Sequence, residues 1–215
     1  MGSEMCIRDR YYSNSTRFNA IKDANASKGK KGKTSNSFEF TSFWAEFIRM
    51  LCDQGYEYLS IHTEKDLIAN LRTKLEELNN YKFTDTEWHQ FFYSAVANTN
   101  EHIVEKTRKI QEDNVQVLKR DDGSSKNITL IDKQNIHNNR LQVINQYVIG
   151  KEDGASYDNR YDVTVLVNGL PLVHIELKRR GVAIREAFNQ INRYQRDSFW
   201  AGCGLYELSL IHISE

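Results

Sequence analysis

The sequence predicts an α/β domain in which a mixed β-sheet is flanked by helices, and two observations carry this prediction. Apolar residues recur at helical spacing through the first half of the chain, up to about residue 111. From about residue 127 the pattern changes to short apolar runs typical of strands, and a stretch of helical character follows at residues 183–197. Helices, then strands, then a helix that packs on them predict a sheet with helices on its faces.

The N-terminal helical part begins with an aromatic-rich stretch, residues 38–54, whose apolar side chains have helical spacing. Gly55 follows it, and glycine commonly ends a helix by adopting a left-handed conformation. Residues 56–61 are predicted to form a short strand. Thr63 is expected to cap the next helix, residues 64–79, because its hydroxyl can accept a bond from a free N–H group of the first turn.

Thr84 and Glu87 have the spacing of a capping box, in which each side chain bonds the backbone N–H of the other residue. They predict a helix that runs to about residue 97, and a further helix is predicted over residues 101–111. Strands are predicted over residues 127–131 and 141–148.

The two ends of the chain are predicted to be foreign to the protein. Codons TCG GAG ATG TGT ATA AGA GAC AGR encode Ser3–Arg10, and their reverse complement, read in a shifted frame, encodes the terminal LSLIHISE. This inverted pair resembles a sequencing adapter left in a metagenomic assembly. We therefore treat residues 1–10 and 208–215 as adapter artefact, exclude them from fold reasoning, and expect the chain to be a fragment.

Between these ends the sequence predicts a polar, flexible N-terminal arm, residues 11–36, followed by one domain, residues 37–207. The arm contains the run KGKKGK at residues 28–33, which predicts either a solvated segment or weak contacts to phosphate groups.

Composition sets limits on the class of protein. The net charge is zero, so any nucleic-acid signal must be local. Cys52 and Cys203 are the cysteines outside the excluded ends, and two distant cysteines predict reduced thiols in a cytoplasmic protein. The sequence contains no apolar run long enough to span a membrane and no Gly-x-x-x-x-Gly-Lys-Ser/Thr phosphate loop.

The stretch YDVTVLVNGLPLVHIELK, residues 161–178, carries the chemistry. Its two apolar runs predict buried strands, yet Asp162, Glu176 and Lys178 lie at their ends, and buried strands seldom carry charges. Two carboxylates brought together at a sheet edge repel each other unless a cation lies between them. Mg²⁺ prefers such hard oxygen ligands, so the pair predicts a magnesium site with Lys178 beside it.

The length of the turn decides whether Asp162 shares a face with Glu176. A two-residue turn at Asn168–Gly169 would pair Asp162 with Ile175, on the opposite face from Glu176. A three-residue loop over residues 167–169 would pair it with His174 instead, and one over residues 168–170 would pair it with Glu176. We therefore predict an odd-length loop, and interpret His174 as a packed histidine rather than a ligand.

Residues after the second strand extend this site. Lys178 can orient or deprotonate a water molecule, or stabilise negative charge that develops at phosphorus. Arg179 and Arg180 can hold the phosphate backbone of DNA. Gln190 and Tyr194 lie one turn apart on the predicted last helix, and they belong either to the site or to an ordinary amphipathic surface.

The segment DVTVLVNGLPLVHIELKRRGVAIREAFNQINRYQRDSF resembles the nuclease domain of the restriction-and-translocation (R) subunit of type I restriction enzymes. The segments GYEYLS, FTDTEWHQFF, EKTRKIQ and LIDK resemble the same family, so the likeness covers about residues 38–200. It implies a restriction-endonuclease-like fold with a PD-(D/E)xK core. Residues 37–207 would then be the nuclease domain, truncated at its C-terminus.

The resemblance assigns the metal-binding carboxylates to Asp162 and Glu176 and the catalytic lysine to Lys178. It assigns the family's Gln-x-x-x-Tyr motif to Gln190 and Tyr194, near the site and the DNA. Related nucleases carry an acidic residue on the first helix, for which Glu39 and Glu46 are the candidates.

What the resemblance implies is a Mg²⁺-dependent endonuclease that cuts double-stranded DNA together with modification and specificity subunits. ATP would be bound by helicase-like domains that this chain does not contain. Two alternatives remain open on the sequence: a stand-alone repair or recombination nuclease of the same fold, and a non-catalytic interaction module that keeps the fold.

Overall fold

The computed structural model describes residues 45–101, 103–149, 159–177 and 210–214, with the single residues Arg185, Asn189 and Leu205. Apart from residues 45 and 46, all of these belong to one compact unit, Phe47–Glu215. The predicted helix of residues 183–197 is described at Arg185 and Asn189 alone, and both are helical. The predicted arm and the predicted domain boundary at residue 37 lie outside the described residues.

The four helices predicted in the first half are present. They are α1 (residues 45–53), α2 (Glu64–Asn79), α3 (Asp85–Phe91, continued by a π-helical turn, Phe92–Val96) and α4 (Ile103–Glu112). Gly55, with φ of 92°, ends α1 as predicted. The predicted cap of α2 is confirmed, since the hydroxyl of Thr63 accepts a bond from the Asp66 N–H (3.2 Å). None of the described helices is long and apolar enough to cross a membrane.

The strands in the described part of the chain form two sheets. They are β1 (Glu57–Tyr58), β2 (Val115–Lys119), β3 (Ser125–Thr129), β4 (Leu141–Ile149), β5 (Asn159–Val167), β6 (Leu170–Leu177) and β7 (Leu210–Ser214). The larger sheet has the order β1-β4-β5-β6-β7, with parallel outer pairs and antiparallel inner pairs, so the predicted mixed sheet is confirmed. Strand β2, which pairs with β3 in a separate hairpin, was not predicted.

Strand β7 corrects the exclusion of residues 208–215 from the fold. Leu210–Ser214 pairs in parallel with β6, from Val173 to Leu177. A sheet edge binds a further strand mainly through backbone groups, and the sequence LIHIS has the β-branched, apolar character that this position favours. This pairing does not test where the codons of the segment originate, and the adapter interpretation stays a prediction.

Helix α2 packs one face against the sheet. Leu67, Leu71 and Leu75 on this face are fully buried. A reciprocal amide pair fixes the register of the helix on β4: Asn70 Nδ2 donates to Gln142 Oε1 (3.0 Å), and Gln142 Nε2 donates to Asn70 Oδ1 (3.2 Å). Because Gln142 is completely buried, the pair satisfies amide groups that would otherwise be costly to remove from water.

The turn between β5 and β6 is a two-residue turn, so the predicted odd-length loop is wrong. Val167 pairs with Leu170, and the two residues between them, Asn168 and Gly169, have φ values of 52° and 83°. Positive φ at both central positions is the pattern of a type I′ hairpin turn, for which Asn-Gly is the preferred sequence.

This turn is buried, which is unusual for a hairpin tip. Asn168 is 1% exposed, and its side chain accepts a bond from Arg140 N–H (2.8 Å) and donates to Leu130 O (3.0 Å) and Asn139 Oδ1 (2.8 Å). Gly169 touches helix α2 so closely that an added Cβ would lie 2.6 Å from the Leu71 Cα. The turn therefore docks the β5–β6 hairpin under α2.

A β-bulge next to the turn changes the register of the hairpin. Beside the turn Leu166 pairs with Pro171, whereas farther along Val165 pairs with Val173, so β6 has one extra residue, Leu172, at this point. The bulged strand contains Pro171, and proline within a sheet is largely restricted to strand edges and bulges. Pro171 was therefore the sequence signal for the shift, and the loop-length argument did not use it.

A buried carboxylate ties α3 to the β2–β3 hairpin. The predicted capping box is confirmed, since Glu87 N–H donates to the Thr84 hydroxyl and Thr84 N–H donates to Glu87 Oε2, each at 3.1 Å. The same carboxylate accepts bonds from the Tyr81 hydroxyl (2.8 Å) and from Asp121 N–H at the tip of the hairpin (3.2 Å). Burial raises the pKa of Glu87, but these hydrogen bonds outweigh it and hold the pKa below its ordinary value.

We expect Glu87→Gln to lower the free energy of unfolding by about 2–3 kcal/mol at pH 7, because charge-assisted bonds are lost at a buried position. A depressed carboxyl pKa contributes stability above the ordinary value of 4.5, and this contribution is lost as the pH falls through the lowered pKa. The difference between wild type and variant, measured by urea denaturation, should therefore shrink below about pH 4.5. Glu77→Gln, on the exposed side of α2, is the control and should change stability by less than about 0.5 kcal/mol; equal losses at both sites would contradict the assignment.

Gly169→Ala should destabilise the protein by about 2–4 kcal/mol, because it adds a steric clash with the α2 backbone to the strain of a positive φ. Gly123→Ala is a matched control: Gly123 has nearly the same φ, 81°, but an added Cβ would have no atom within 4 Å. That variant should lose about 1 kcal/mol in the same denaturation experiment. If the two substitutions cost the same, the turn does not pack on α2 as described.

Candidate active site on the β5–β6 hairpin

The bulged register, continued by one residue beyond its last pair, would set Asp162 and Glu176 across from each other on adjacent strands. Val163 pairs with Ile175, and continuing the register by one residue sets Asp162 opposite Glu176. Directly opposed residues in antiparallel strands have their Cβ atoms about 5 Å apart. From Val165 to Val163 the pairs have the register that a three-residue loop over residues 168–170 would have given, and the two-residue turn and the bulge at Leu172 produce that register together.

Both carboxylates are buried. Asp162 is 9% exposed and Glu176 is 4% exposed. Ionised carboxylates are seldom removed from water to this extent unless charged or hydrogen-bonding groups compensate them. Two such residues at neighbouring positions of a largely apolar hairpin therefore distinguish this end of the sheet from its apolar interior.

His174 is packed within the sheet. His174 is the cross-strand partner of Thr164, and its Nδ1 lies 2.8 Å from the Thr164 hydroxyl oxygen. Its ring stacks on the Tyr161 ring, with the two centroids 4.6 Å apart. Burial lowers the pKa of His174 to about 3, so the ring is neutral at physiological pH. These contacts agree with its interpretation as a packed residue. Within the described part of the chain, no cluster of three or more His, Cys, Asp or Glu side chains could hold a metal ion.

The other predicted site residues are not placed. Lys178, Arg179, Arg180, Gln190 and Tyr194 lie outside the described residues, as does Glu39. Lys178 follows the last residue of β6, Leu177, in the chain. Glu46 is described as a half-buried residue of α1 and belongs to the N-terminal unit, Met1–Glu46. The structure thus places Asp162 and Glu176 beside the last pair of β5 and β6, and the site assignments all stay predictions.

Comparisons with known proteins agree with the resemblance noted in the sequence. The family described as "Type I restriction enzyme R protein N terminus" matches residues 44–214. The "Type I restriction enzyme EcoprrI endonuclease subunit" of Escherichia coli is 48% identical over 171 residues, which cover 79% of this chain and 53% of that protein. The "Type I restriction enzyme SsaAORF53P endonuclease subunit" of Staphylococcus saprophyticus is 38% identical over 159 residues, which cover 72% of this chain and 16% of that protein.

A relative from Staphylococcus aureus strain MSSA476, the "Type I restriction enzyme SauMSSORF170P endonuclease subunit", shows the same 38% identity over 159 residues. The chain spans about half the length of the E. coli relative and about a sixth of the staphylococcal ones. The matched region contains the described sheet together with Asp162 and Glu176. On this evidence the chain belongs to the family of type I restriction enzyme R proteins and represents their N-terminal region.

Proposed function

We propose that this region is the Mg²⁺-dependent endonuclease of a type I restriction enzyme and hydrolyses phosphodiester bonds of double-stranded DNA. The observation that supports the proposal is the burial of two carboxylates, Asp162 and Glu176, which follow the last pair of the adjacent strands β5 and β6, Val163 with Ile175. The names of the E. coli and staphylococcal relatives, all endonuclease subunits, support the same activity.

The pair suits a magnesium ion by the chemistry of its donors. Carboxylate oxygens are the hard ligands that Mg²⁺ prefers, and two or fewer protein carboxylates leave room for water and substrate phosphate. Neighbouring buried carboxylates also repel each other, so a cation between them relieves this repulsion. Asp162 and Glu176 would hold the ion. When bound, it supplies positive charge that stabilises the negative charge developing on the phosphoryl group.

The residues that follow β6 would complete the reaction. Lys178, two residues after Glu176, would orient the attacking water and stabilise the charge that develops at phosphorus. Arg179 and Arg180 would contact the phosphate backbone and set the position of the duplex, a contact that carries no sequence information. Gln190 and Tyr194 would support the site from the last helix.

The partners and ATP requirement belong to the complete protein. We propose that the complete R protein acts with modification and specificity subunits, and that ATP serves helicase-like domains outside this chain. We propose that sequence specificity comes from the partner subunits, because the contacts proposed for this region are to phosphate groups and to a metal ion, which carry no sequence information.

Asp162→Asn, Glu176→Gln and Lys178→Ala should each lower nicking of supercoiled plasmid by about 100-fold or more, because each removes a group that stabilises the transition state. The assay uses the complete R protein assembled with its partner subunits and Mg²⁺. Glu112→Gln is the control, since that carboxylate is exposed at the end of α4 and far along the chain from the hairpin. Cleavage at the wild-type rate in Asp162→Asn or Lys178→Ala would refute the assigned site.

Mg²⁺ should raise the melting temperature of the 215-residue chain, since a ligand that binds the folded state stabilises it. The expected increase is about 5–11 °C at a concentration about 100-fold above the dissociation constant, which corresponds to about 2.7 kcal/mol. Asp162→Asn should abolish the increase, and the Glu112→Gln control should retain it. An equal increase in all three proteins would show that the ion binds elsewhere.

A further inference from the structure

Gln146 of β4 has a left-handed backbone conformation and lies directly opposite Asp162 of β5. The β4–β5 register runs through Asn145 with Val163 and through Tyr147 with Tyr161, so Gln146 stands opposite Asp162. Gln146 has a φ of 52°, and its side chain is exposed. Residues other than glycine seldom adopt this conformation, and they do so where the surrounding structure imposes it.

The β4 strand changes face at this residue. Strict alternation would place Ile144 and Tyr147 on opposite faces of the sheet, because they are three residues apart. Both side chains nevertheless belong to the same buried core cluster, whereas Val143, which is equally buried, does not. The alternation therefore slips by one residue between Ile144 and Tyr147, and Gln146, with its positive φ, lies within the slip.

The facing strand β5 changes face at the same level. Tyr161 and Thr164 are also three residues apart, and alternation would separate them. The Tyr161 ring nevertheless stacks on His174, which lies beside the Thr164 hydroxyl, so both residues meet one histidine on one face. Val163 is fully buried but does not belong to the cluster that contains Tyr161. The slip on β5 therefore falls at Asp162 or beside it.

The direction of the Asp162 carboxylate is consequently not fixed by ordinary strand alternation. It depends on the local backbone of the two strands at the slip, and on β4 this backbone is held by the left-handed conformation of Gln146. We propose that the left-handed backbone of Gln146 is a positioning device that aims Asp162 at the position shared with Glu176. This inference rests on the proposed function. Gln146 is a positioning residue that acts through its backbone, and its side-chain amide takes no part in binding the metal ion.

The side chains that tolerate a positive φ give a direct test. Glycine adopts this conformation without strain, asparagine tolerates it, alanine does so less well, and a β-branched residue resists it. Gln146→Gly removes the amide but keeps the backbone conformation, and Gln146→Val opposes the conformation. Two measurements should be made on each variant. Titration calorimetry gives the Mg²⁺ affinity of the 215-residue chain, and plasmid nicking gives the activity of the complete R protein with its partners.

We expect wild type, Gln146→Gly and Gln146→Asn to bind Mg²⁺ with equal affinity. Gln146→Ala should bind more weakly, and Gln146→Val most weakly. Gln146→Val should lower the Mg²⁺ affinity about 10-fold or more, which is the usual effect of removing a group that orients a metal ligand. The nicking rate should follow the same order. Lys119, an exposed position of β2 that does not have a positive φ, is the matched control. There, Lys119→Gly and Lys119→Val should both leave Mg²⁺ affinity unchanged.

Two results would overturn the proposal. If Gln146→Gly loses as much affinity and nicking as Gln146→Val, the amide rather than the backbone is responsible. If Gln146→Val binds Mg²⁺ as wild type does, the backbone has no positioning role. Should the valine variant not fold, the comparison of glycine with alanine decides in the same way.

An Asp162→Asn arm separates this inference from the proposed function. If that variant binds Mg²⁺ as tightly as wild type, the metal site itself is wrongly assigned. If it loses binding while all Gln146 variants keep it, the site stands and the positioning role alone is refuted.

Discussion

The burial of the Asn168–Gly169 turn under helix α2 is the constraint on which the rest of the sheet depends. A hairpin tip ordinarily faces solvent, where its backbone groups bond water. Here the Asn168 side chain bonds backbone groups at both ends of the loop between β3 and β4, Leu130 O and Arg140 N–H, and Gly169 lies against the α2 backbone. Because this end of the hairpin is fixed between two elements, residues at its other end are located by counting along β5 and β6.

The local structure of the helices could be predicted from the sequence, because caps act over a few residues. Thr63 and the Thr84–Glu87 box specify helix starts through hydrogen bonds within one turn, and the structure contains both. The strand β2 was missed because VQVLK mixes polar and apolar residues on a small hairpin whose apolar face is narrow. Its position depends on packing against the rest of the domain, which no short window records.

The hairpin that carries the candidate site was predicted in part. The sequence located Asp162 and Glu176 at the ends of the two apolar runs, but β5 extends past Asp162 to Asn159, and the loop-length argument treated the turn as the only control of register. The Asn-Gly sequence favours a two-residue turn strongly, and the bulge beside Pro171 then corrects the pairing. The face change at Gln146 has no comparable signal, because glutamine is not a residue that prefers a positive φ.

The bulge at Leu172 also limits how the hairpin can change in length. Side chains alternate with a period of two, so one residue added to β6 between the turn and Val173 would move Ile175, rather than Glu176, to the position across from Asp162. A single codon inserted there would separate the two acids, whereas loss of Leu172 would remove the bulge and leave the later pairs unchanged. Length variants that keep the two acids at the same level should therefore be those that lose the bulge residue, or those in which β5 and β6 each gain a residue.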